Sequence, residues 1–523
     1  MDSLPFETLH RIFEHFECTI PFDNWEQGYI AEIECPPPKD LIALSRVCRR
    51  FRDVSRPLIY RTVAFQWREE NYEQKIIEAF LRTLCDDPPL GRIIRDFHVD
   101  HWRAWNLEAT DVVHKLLAAP DSLDERQLRW LRRWLAAERD RPEEDFLLIL
   151  LILTPNLRML DCGQAAVDGG IGAYLSGRQD VEDVFFDNFD KIWSKDKPPS
   201  SGRMLSEDED INDDDDDDDD GGESGSDPKK EDRDEEATSI MPSQETAHQH
   251  AVPPGHPFAQ LREVRFRNDI GNGFENASDI EGVLLHPEIE TLRLFAFTWA
   301  KEDVQRMHWS HIPSSLTSLQ MKSSIIDAVG LKNILRRCPQ LQNLHIVLAV
   351  IGRMDSDDQG DEIDFDKMGA VLRKYGQRLE TFDFETSGFR GYFSPDGHLG
   401  SLKKLKALRQ LKVSCEDLQE DFPRDDEDEL AAKLRNGLPP RLESIHIRAS
   451  DAPCGDVVPR ALLTDKSFTA LRTVEVESFD SSNPEDLVVP GWTKSERVDW
   501  INRSETEEGE LHPITIVIFS RDA

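Results

Sequence analysis

One short apolar phrase recurs along the chain and constrains its fold more than any other feature of the sequence. In each copy an apolar residue is followed by two variable residues, a second apolar residue, one variable residue and a third apolar residue. Because the last two apolar positions are two residues apart, they lie on the same face of a β-strand. The copies are Ile94-Phe97-Val99, Leu157-Leu160-Cys162, Leu261-Val264-Phe266, Ile289-Leu292-Leu294, Leu316-Leu319-Met321, Leu341-Leu344-Ile346, Leu379-Phe382-Phe384, Leu408-Leu411-Val413, Leu442-Ile445-Ile447 and Leu471-Val474-Val476.

Helical patterns lie between several of these phrases, over 325–337, 365–375 and 427–436. A strand and a helix every 25 to 38 residues is typical of leucine-rich repeats. Each such unit buries its apolar face only by stacking on its neighbours. The sequence therefore predicts an α/β fold in which an irregular leucine-rich-repeat solenoid occupies 72–193 and 257–520. The alternative is an ordinary α/β domain with leucine-rich strands.

Residues 103–153 fit the repeat less well and predict a helical insert in the solenoid. One helix face carries Leu128, Leu131, Trp134 and Leu135, and the other carries arginines at 126, 129, 132, 133 and 139. A basic amphipathic helix of this kind can bind membranes or calmodulin-like partners. In an otherwise acidic chain we favour a helix that packs on the outer face of the solenoid.

Residues 1–63 form a separate pattern of apolar stripes. The first stripe has helical spacing, with Pro5 suited to the first turn. The second stripe follows a polar, proline-rich insert at 18–39, and Pro57 is expected to end its helix. The two stripes consist of Phe6, Leu9, Ile12, Phe13 and Phe16, and of Leu41, Leu44, Val47, Cys48, Phe51 and Val54. Such a small helical unit is marginally stable alone and gains from a partner.

These residues resemble an F-box, the segment that binds Skp-type adaptors of cullin-based ubiquitin ligases. The resemblance is carried by Leu4, Pro5, Glu7, Leu9, Ile12 and Phe13, and then by Leu44, Val47, Cys48, Arg49, Phe51, Ser55, Pro57 and Leu58. The following Tyr60-Arg61-Thr62-Val63 is similar to many fungal members, whereas the insert at 18–39 is longer than is usual in the family. The resemblance implies adaptor contacts from Leu4, Pro5, Leu9, Ile12, Phe13, Leu44 and Val47.

Charge excludes several partners. The net charge is −39, and 207–236 alone holds 19 acidic and 3 basic residues. Such a chain repels nucleic acids and anionic membranes. We predict that 194–256, which includes the run Asp213–Asp220, is a disordered acidic linker, because charge is high and hydrophobicity low. It is either a solvated spacer or a tether for basic proteins such as histones.

Other motifs point away from secretion and from catalysis. The eight cysteines are widely spaced, and the N-terminus MDSLPFE lacks a signal peptide, so we expect a reduced protein in the cytoplasm or nucleus. The segment 355–366 is close to a calcium loop, but an acidic loop between repeats is the simpler interpretation. No GxSxG, P-loop or HExxH motif is present. We therefore expect no enzymatic activity, no cofactor and no metal.

The leading functional hypothesis is a substrate-recognition subunit of a Skp–cullin–F-box ubiquitin ligase. Its partners would be a Skp-type adaptor, a cullin and an unknown target protein. The target would bind strand positions that flank the apolar pairs, with basic positions favouring a phosphorylated target. The basic or titratable positions are Arg265, Arg267, Arg293, Lys322, His345, Lys412, His446 and Arg448. The alternative is a leucine-rich-repeat scaffold that binds basic proteins such as histones outside any ligase.

Overall fold

A computed structural model describes most of the chain outside its longest polar segments. The described residues are 4–17, 38–65, 70–99, 110–118, 123–137, 145–163, 169–185, 258–268, 273–349, 363–386, 397–418, 427–448, 457–478, 487–502 and 511–521. The predicted acidic linker, the insert within the N-terminal unit and most of the calcium-like loop lie outside these residues. Within the described residues, no helix is long and apolar enough to cross a membrane.

Helices precede the sheet and alternate with its strands. They are Phe6–Glu14 (α1), Lys39–Ser45 (α2), Arg49–Ile59 (α3), Glu70–Asp86 (α4), Pro88–Gly91 (α5), Thr110–Ala118 (α6), Glu125–Ala137 (α7), Asp145–Leu153 (α8), Gly169–Ser176 (α9), Glu281–Leu284 (α10), Lys301–Arg306 (α11), Ala328–Arg337 (α12), Phe365–Tyr375 (α13), Cys415–Leu418 (α14), Glu427–Gly437 (α15) and Val457–Thr464 (α16).

The strands form one 15-stranded sheet. They are Thr62–Phe65 (β1), Asp96–Val99 (β2), Met159–Gly163 (β3), Glu263–Arg267 (β4), Glu275–Asn276 (β5), Thr291–Phe295 (β6), Phe297–Trp299 (β7), Ser318–Ile326 (β8), Asn343–Leu348 (β9), Thr381–Glu385 (β10), Gln410–Ser414 (β11), Ser444–Arg448 (β12), Thr473–Ser478 (β13), Trp492–Asn502 (β14) and Leu511–Arg521 (β15). From β1 to β13 the main strands lie side by side in chain order and pair in parallel, while β5 and β7 branch off at β8.

Each copy of the apolar phrase ends in one of these strands, which confirms the strand predictions. The second and third apolar positions align from strand to strand; Leu344 and Ile346 of β9, for example, pair with Phe382 and Phe384 of β10. These rows are fully buried and share one core with the helices. Phe365 of α13 packs edge-on against Phe384 with ring centroids 5.4 Å apart. The sheet is therefore apolar on the face that carries the helices.

Two elements at the ends of the sheet differ from the prediction. Residues 62–65 form the first strand and pair with β2, although we assigned 62 and 63 to the N-terminal helical unit. At the other end, β14 and β15 form a long antiparallel hairpin against β13, rather than another strand–helix unit. The apolar run of 514–519 was the sequence signal for the last strand, in which Ile514, Ile516, Val517 and Phe519 are buried.

The basic helix α7 packs inside the protein. Trp130 is buried and packs edge-on against Tyr174. Arg126 lies over the Tyr174 ring and pairs with buried Glu182 at 2.5 Å, while Arg133 pairs with Asp183 at 3.2 Å. Arg126 and Arg133 therefore stabilise contacts within the protein. The side chains of Trp134, Leu135 and Arg139 lie outside the described residues.

Candidate functional site

The N-terminal helices enclose a small apolar core of their own. Leu9 and Phe13 of α1 pack with Leu41, Phe51, Val54 and Leu58 of α2 and α3, separately from the core of the sheet. The rings of Phe13 and Phe51 meet edge-to-face. Arg50 donates to the carbonyl oxygen of Leu4 and so fastens the start of α1 to α3.

This core corrects part of the predicted adaptor surface. Leu9 and Phe13 are only 1% and 3% exposed, so in this structure they hold the domain together and are not on its surface. Leu4 and Leu44 are half-buried at the edge of the core. Pro5, Ile12 and Val47 are exposed, as an adaptor contact requires.

Sequence reasoning missed two further exposed apolar side chains in this unit. Phe6 and Phe16 are about as exposed as Ile12, although they belong to the same apolar stripe as the buried Leu9 and Phe13. Successive residues of an α-helix are rotated by about 100° around its axis. Ile12 and Phe16 therefore project on one side of the buried pair Leu9 and Phe13, and Phe6 projects on the other side. The stripe contains more apolar residues than α2 and α3 can cover. This excess was the sequence signal that some of its side chains are exposed.

The second stripe also extends over two helices instead of one. Helix α2 ends at Ser45, and Cys48 adopts an extended conformation before α3. Val47 therefore lies in a turn and is 66% exposed. Pro57 does not stop α3, which continues through it to Ile59. Because Pro57 has no N–H group, α3 lacks one backbone hydrogen bond. The loss falls in the last turn, so the helix can continue for two more residues.

The N-terminal unit joins the sheet directly. Two residues separate α3 from β1, and the first residue after the helix, Tyr60, packs against the core of the sheet. Arg61 pairs with Glu17, just past α1, at 3.1 Å, and its carbonyl oxygen accepts from the N–H groups of Arg95 and Asp96. These bonds hold the N-terminal helices against the start of β2.

The face of the sheet opposite the helices carries a polar row with one residue from each strand. In order across β2, β3, β4, β6 and β8 to β13, the row is His98, Asp161, Arg265, Arg293, Gln320, His345, Asp383, Lys412, His446 and Glu475. The predicted target-binding residues lie in this row or, for Arg267, Lys322 and Arg448, two residues farther along their strands. The structure therefore does bring these residues to one face.

Acidic neighbours already neutralise the row at its N-terminal end. Arg265 is completely buried and pairs with Glu263 at 2.8 Å and with Asp161 at 3.6 Å. Arg267 also contacts Asp161, at 3.1 Å, and Arg293 contacts Glu263 at 2.8 Å. Burial alone would raise the pKa of Asp161, but Arg267, His98 and Arg265 outweigh it and hold that pKa well below its usual range.

The C-terminal end of the row is paired in the same way. Arg448, 4% exposed, donates to Asp383 at 2.6 Å and contacts Glu385 at 2.8 Å. His446 lies between Glu477, at 2.6 Å, and Glu475, at 3.2 Å.

Two histidines of the row have opposite pKa shifts. Burial opposes the charged form of His446, but its hydrogen bonds to Glu475 and Glu477 prevail and raise its pKa. Burial lowers the pKa of His345 to about 4 in spite of nearby Asp383, so this ring is neutral at neutral pH.

Arg265, Lys322 and Arg448 are buried and therefore inaccessible, and most of the other predicted residues have intramolecular partners. Lys412 remains partly exposed. The missed residues are acids such as Asp161 and Glu263. Their signal was present in the phrase, because each occupies a strand position that flanks an apolar one.

Comparison with known proteins identifies the N-terminal unit. Residues 1–66 match the family described as F-box-like. The chain as a whole matches none of the curated proteins. An F-box-like domain implies binding to a Skp-type adaptor and indicates an adaptor role in a ubiquitin ligase. F-box proteins are generally substrate adaptors rather than enzymes. Within the described residues, no group of His, Cys, Asp and Glu side chains could hold a metal ion.

Proposed function

We propose that this protein is a substrate-recognition subunit of a Skp–cullin–F-box ubiquitin ligase. In this proposal the F-box-like domain binds the adaptor, the adaptor connects it to the cullin, and the strand–helix array holds the target. The array is best interpreted as an irregular leucine-rich-repeat solenoid, since its parallel strands follow in chain order with the repeated apolar phrase. Ubiquitin transfer is then accelerated by proximity, with the chemistry supplied by other subunits.

One observation carries the proposal: the small domain leaves apolar side chains exposed although its core is complete. Among the described residues, eight large hydrophobic side chains are exposed, and four of them are Phe6, Ile12, Phe16 and Val47. Covering one such side chain with a partner contributes up to about 1.5–3 kcal/mol. Exposed apolar groups concentrated on one small unit are typical of a docking surface.

The test is co-purification of the full chain with a Skp-type adaptor and a cullin. We expect both at stoichiometric levels with the unaltered chain, and a loss of both with Ile12→Asp or Val47→Asp. These positions are the right probes because their side chains are exposed, whereas Leu9→Asp would place a charge in the core and unfold the domain. The matched control is Val329→Asp, at an apolar position on α12 that is about as exposed as Ile12, and this variant should retain both subunits.

The same experiment addresses the alternative role as a scaffold for basic proteins. If the unaltered chain captures histones but neither ligase subunit, and deletion of 207–236 removes them, the ligase proposal is wrong. Retention of adaptor and cullin after that deletion would support it.

A further inference from the structure

The turns that lead into strands β9 to β13 form a strongly basic edge on this acidic protein. The five segments are 336–342, 374–380, 401–409, 435–443 and 465–472, and together they hold twelve basic and three acidic residues. All of the basic residues except Arg337 are exposed. We use "basic edge" for Arg336, Lys374, Arg378, Lys403, Lys404, Lys406, Arg409, Arg435, Arg441, Lys466 and Arg472.

Backbone hydrogen bonds place these turns side by side. The N–H of Arg409 donates to the carbonyl oxygen of Glu380, that of Glu443 to Arg409 and that of Arg472 to Glu443, each at 2.8 Å. Leu402 likewise donates to Gly437 at 2.7 Å. Since neighbouring strands lie about 4.8 Å apart, the five turns extend over roughly 20 Å. The charges thus share one continuous edge.

Few of these charges are used within the protein. Arg409 pairs with Glu443 and Arg435 with Asp465. Among the described residues, Lys403, Lys404 and Lys406 have no carboxylate within ion-pair distance. This contrasts with the polar row on the sheet, where acidic neighbours hold the arginines.

Helix stabilisation explains only part of the basic edge. Arg336, Lys374 and Arg435 lie in the last turns of α12, α13 and α15, where a positive charge complements the helix dipole. Lys403, Lys404 and Lys406 lie instead in 397–409, which is described and contains no helix. Leu402, Leu405 and Leu408 are fully buried in the same turn. The apolar anchors fix this turn while its lysines point outward, so the helix dipole does not account for them.

We infer that the basic edge is the docking surface for an acidic segment of the target protein. The identity of the bound protein as a ubiquitination target rests on the proposed function, whereas the existence of the basic edge does not. An acidic peptide fits this edge because its carboxylates complement eleven exposed basic side chains. The edge also offers no exposed aromatic ring on which bases could stack, since Phe468 is buried and Tyr375 is half-buried beside Lys374.

The experiment measures binding of a fluorescein-labelled peptide of alternating glutamate and serine to the full chain by fluorescence anisotropy. We expect saturable binding that weakens as salt is added, and no binding of a matched peptide with glutamine in place of glutamate. The double variant K403E/K404E should bind about fivefold more weakly or worse, because exposed ion pairs contribute modestly and reversal adds repulsion. The control K301E/K332E makes the same charge change at exposed lysines on α11 and α12 and should bind normally.

Three results would overturn the inference. The first is equal binding by K403E/K404E and the unaltered chain. The second is tighter binding of single-stranded DNA of the same formal charge than of the acidic peptide. The third is peptide binding that is seen only after Asp213–Asp220 are replaced by asparagine, which would assign the edge to the chain's own acidic run. None of these measurements involves the adaptor, so they are independent of the co-purification test.

Discussion

Phe13 of α1 and Phe51 of α3 pack edge-to-face, with ring centroids 5.2 Å apart and planes at 87°. This contact joins the first helix to the third and separates the residues that stabilise the F-box-like domain from those on its surface. Ile12 is adjacent to Phe13 in the chain but points away from the core.

The first prediction follows from that separation. Phe13→Ala should destabilise the F-box-like domain by about 3–5 kcal/mol, because it leaves a cavity in a small core. Val47→Ala should change stability by less than about 0.5 kcal/mol, since this side chain is mostly exposed. Amide hydrogen exchange in α1 and α3 measures the opening free energy of this unit separately from the sheet. Equal exchange rates in the two variants would contradict the assignment.

A second prediction concerns helices that approach neighbouring turns through glycine. A Cβ atom built at Gly330 of α12 would lie 1.7 Å from the carbonyl oxygen of Trp299, and one at Gly369 of α13 would lie 1.9 Å from that of Leu399. Gly330→Ala and Gly369→Ala should each cost about 1–3 kcal/mol or more, because backbone must move. Gly437→Ala is the control, since its Cβ would contact nothing within 4 Å. Thermal denaturation should show lower midpoints for the first two variants only.

The third prediction uses the opposite pKa shifts of two histidines. The raised pKa of His446 stabilises the folded state below the unfolded pKa of about 6.5, and this contribution disappears as pH rises through the folded pKa. His446→Gln should therefore cost more stability near pH 6 than near pH 9.

For His345, whose pKa is lowered to about 4, the unfolded state binds the proton first as pH falls below about 6.5. The unaltered chain should lose stability there relative to His345→Gln. Urea titrations across this range measure both differences. Parallel pH curves for the two variants would be inconsistent with the shifts.

A fourth prediction concerns a buried ion pair between α10 and α12. Arg337 donates to Glu281 at 2.7 Å, and both side chains are almost fully buried. Glu281 also accepts from the N–H groups of His308 and Trp309. Removing one partner leaves a buried charge, so Glu281→Met and Arg337→Met should each cost about 3–5 kcal/mol.

Methionine at both positions should cost less than the sum of the two single changes. A double-mutant cycle from urea midpoints provides this comparison. Additive costs would show that the two side chains do not stabilise each other.

The strands were predictable because their signal is local and repeated. Leu344 and Ile346 are two residues apart, and this spacing fixes both the strand and its buried face. The burial and pairing of Arg265 were not predictable in the same way, because its partner Asp161 lies in another strand, more than a hundred residues earlier. Register between strands, rather than spacing within one, decides which charges meet.

The F-box-like domain shows the same limit. The apolar stripe of α1 predicted its helix, but whether a residue such as Ile12 is exposed depends on how much of the stripe α2 and α3 cover. Lys403, Lys404 and Lys406 were also visible in the sequence. Their importance depends on turns from five strands that lie together only after folding.

Direct pairing of β3 with β4 has a consequence for the long acidic segment between them. Met159 to Gly163 pair with Glu263 to Arg267 along the whole length of both strands, and residues from both sides enter one core. Covalent continuity between 186 and 257 is therefore unnecessary for holding the two parts together. A protease cut there would leave a nicked protein in which the F-box-like fragment and the C-terminal fragment stay associated and migrate as one particle until a denaturant separates them.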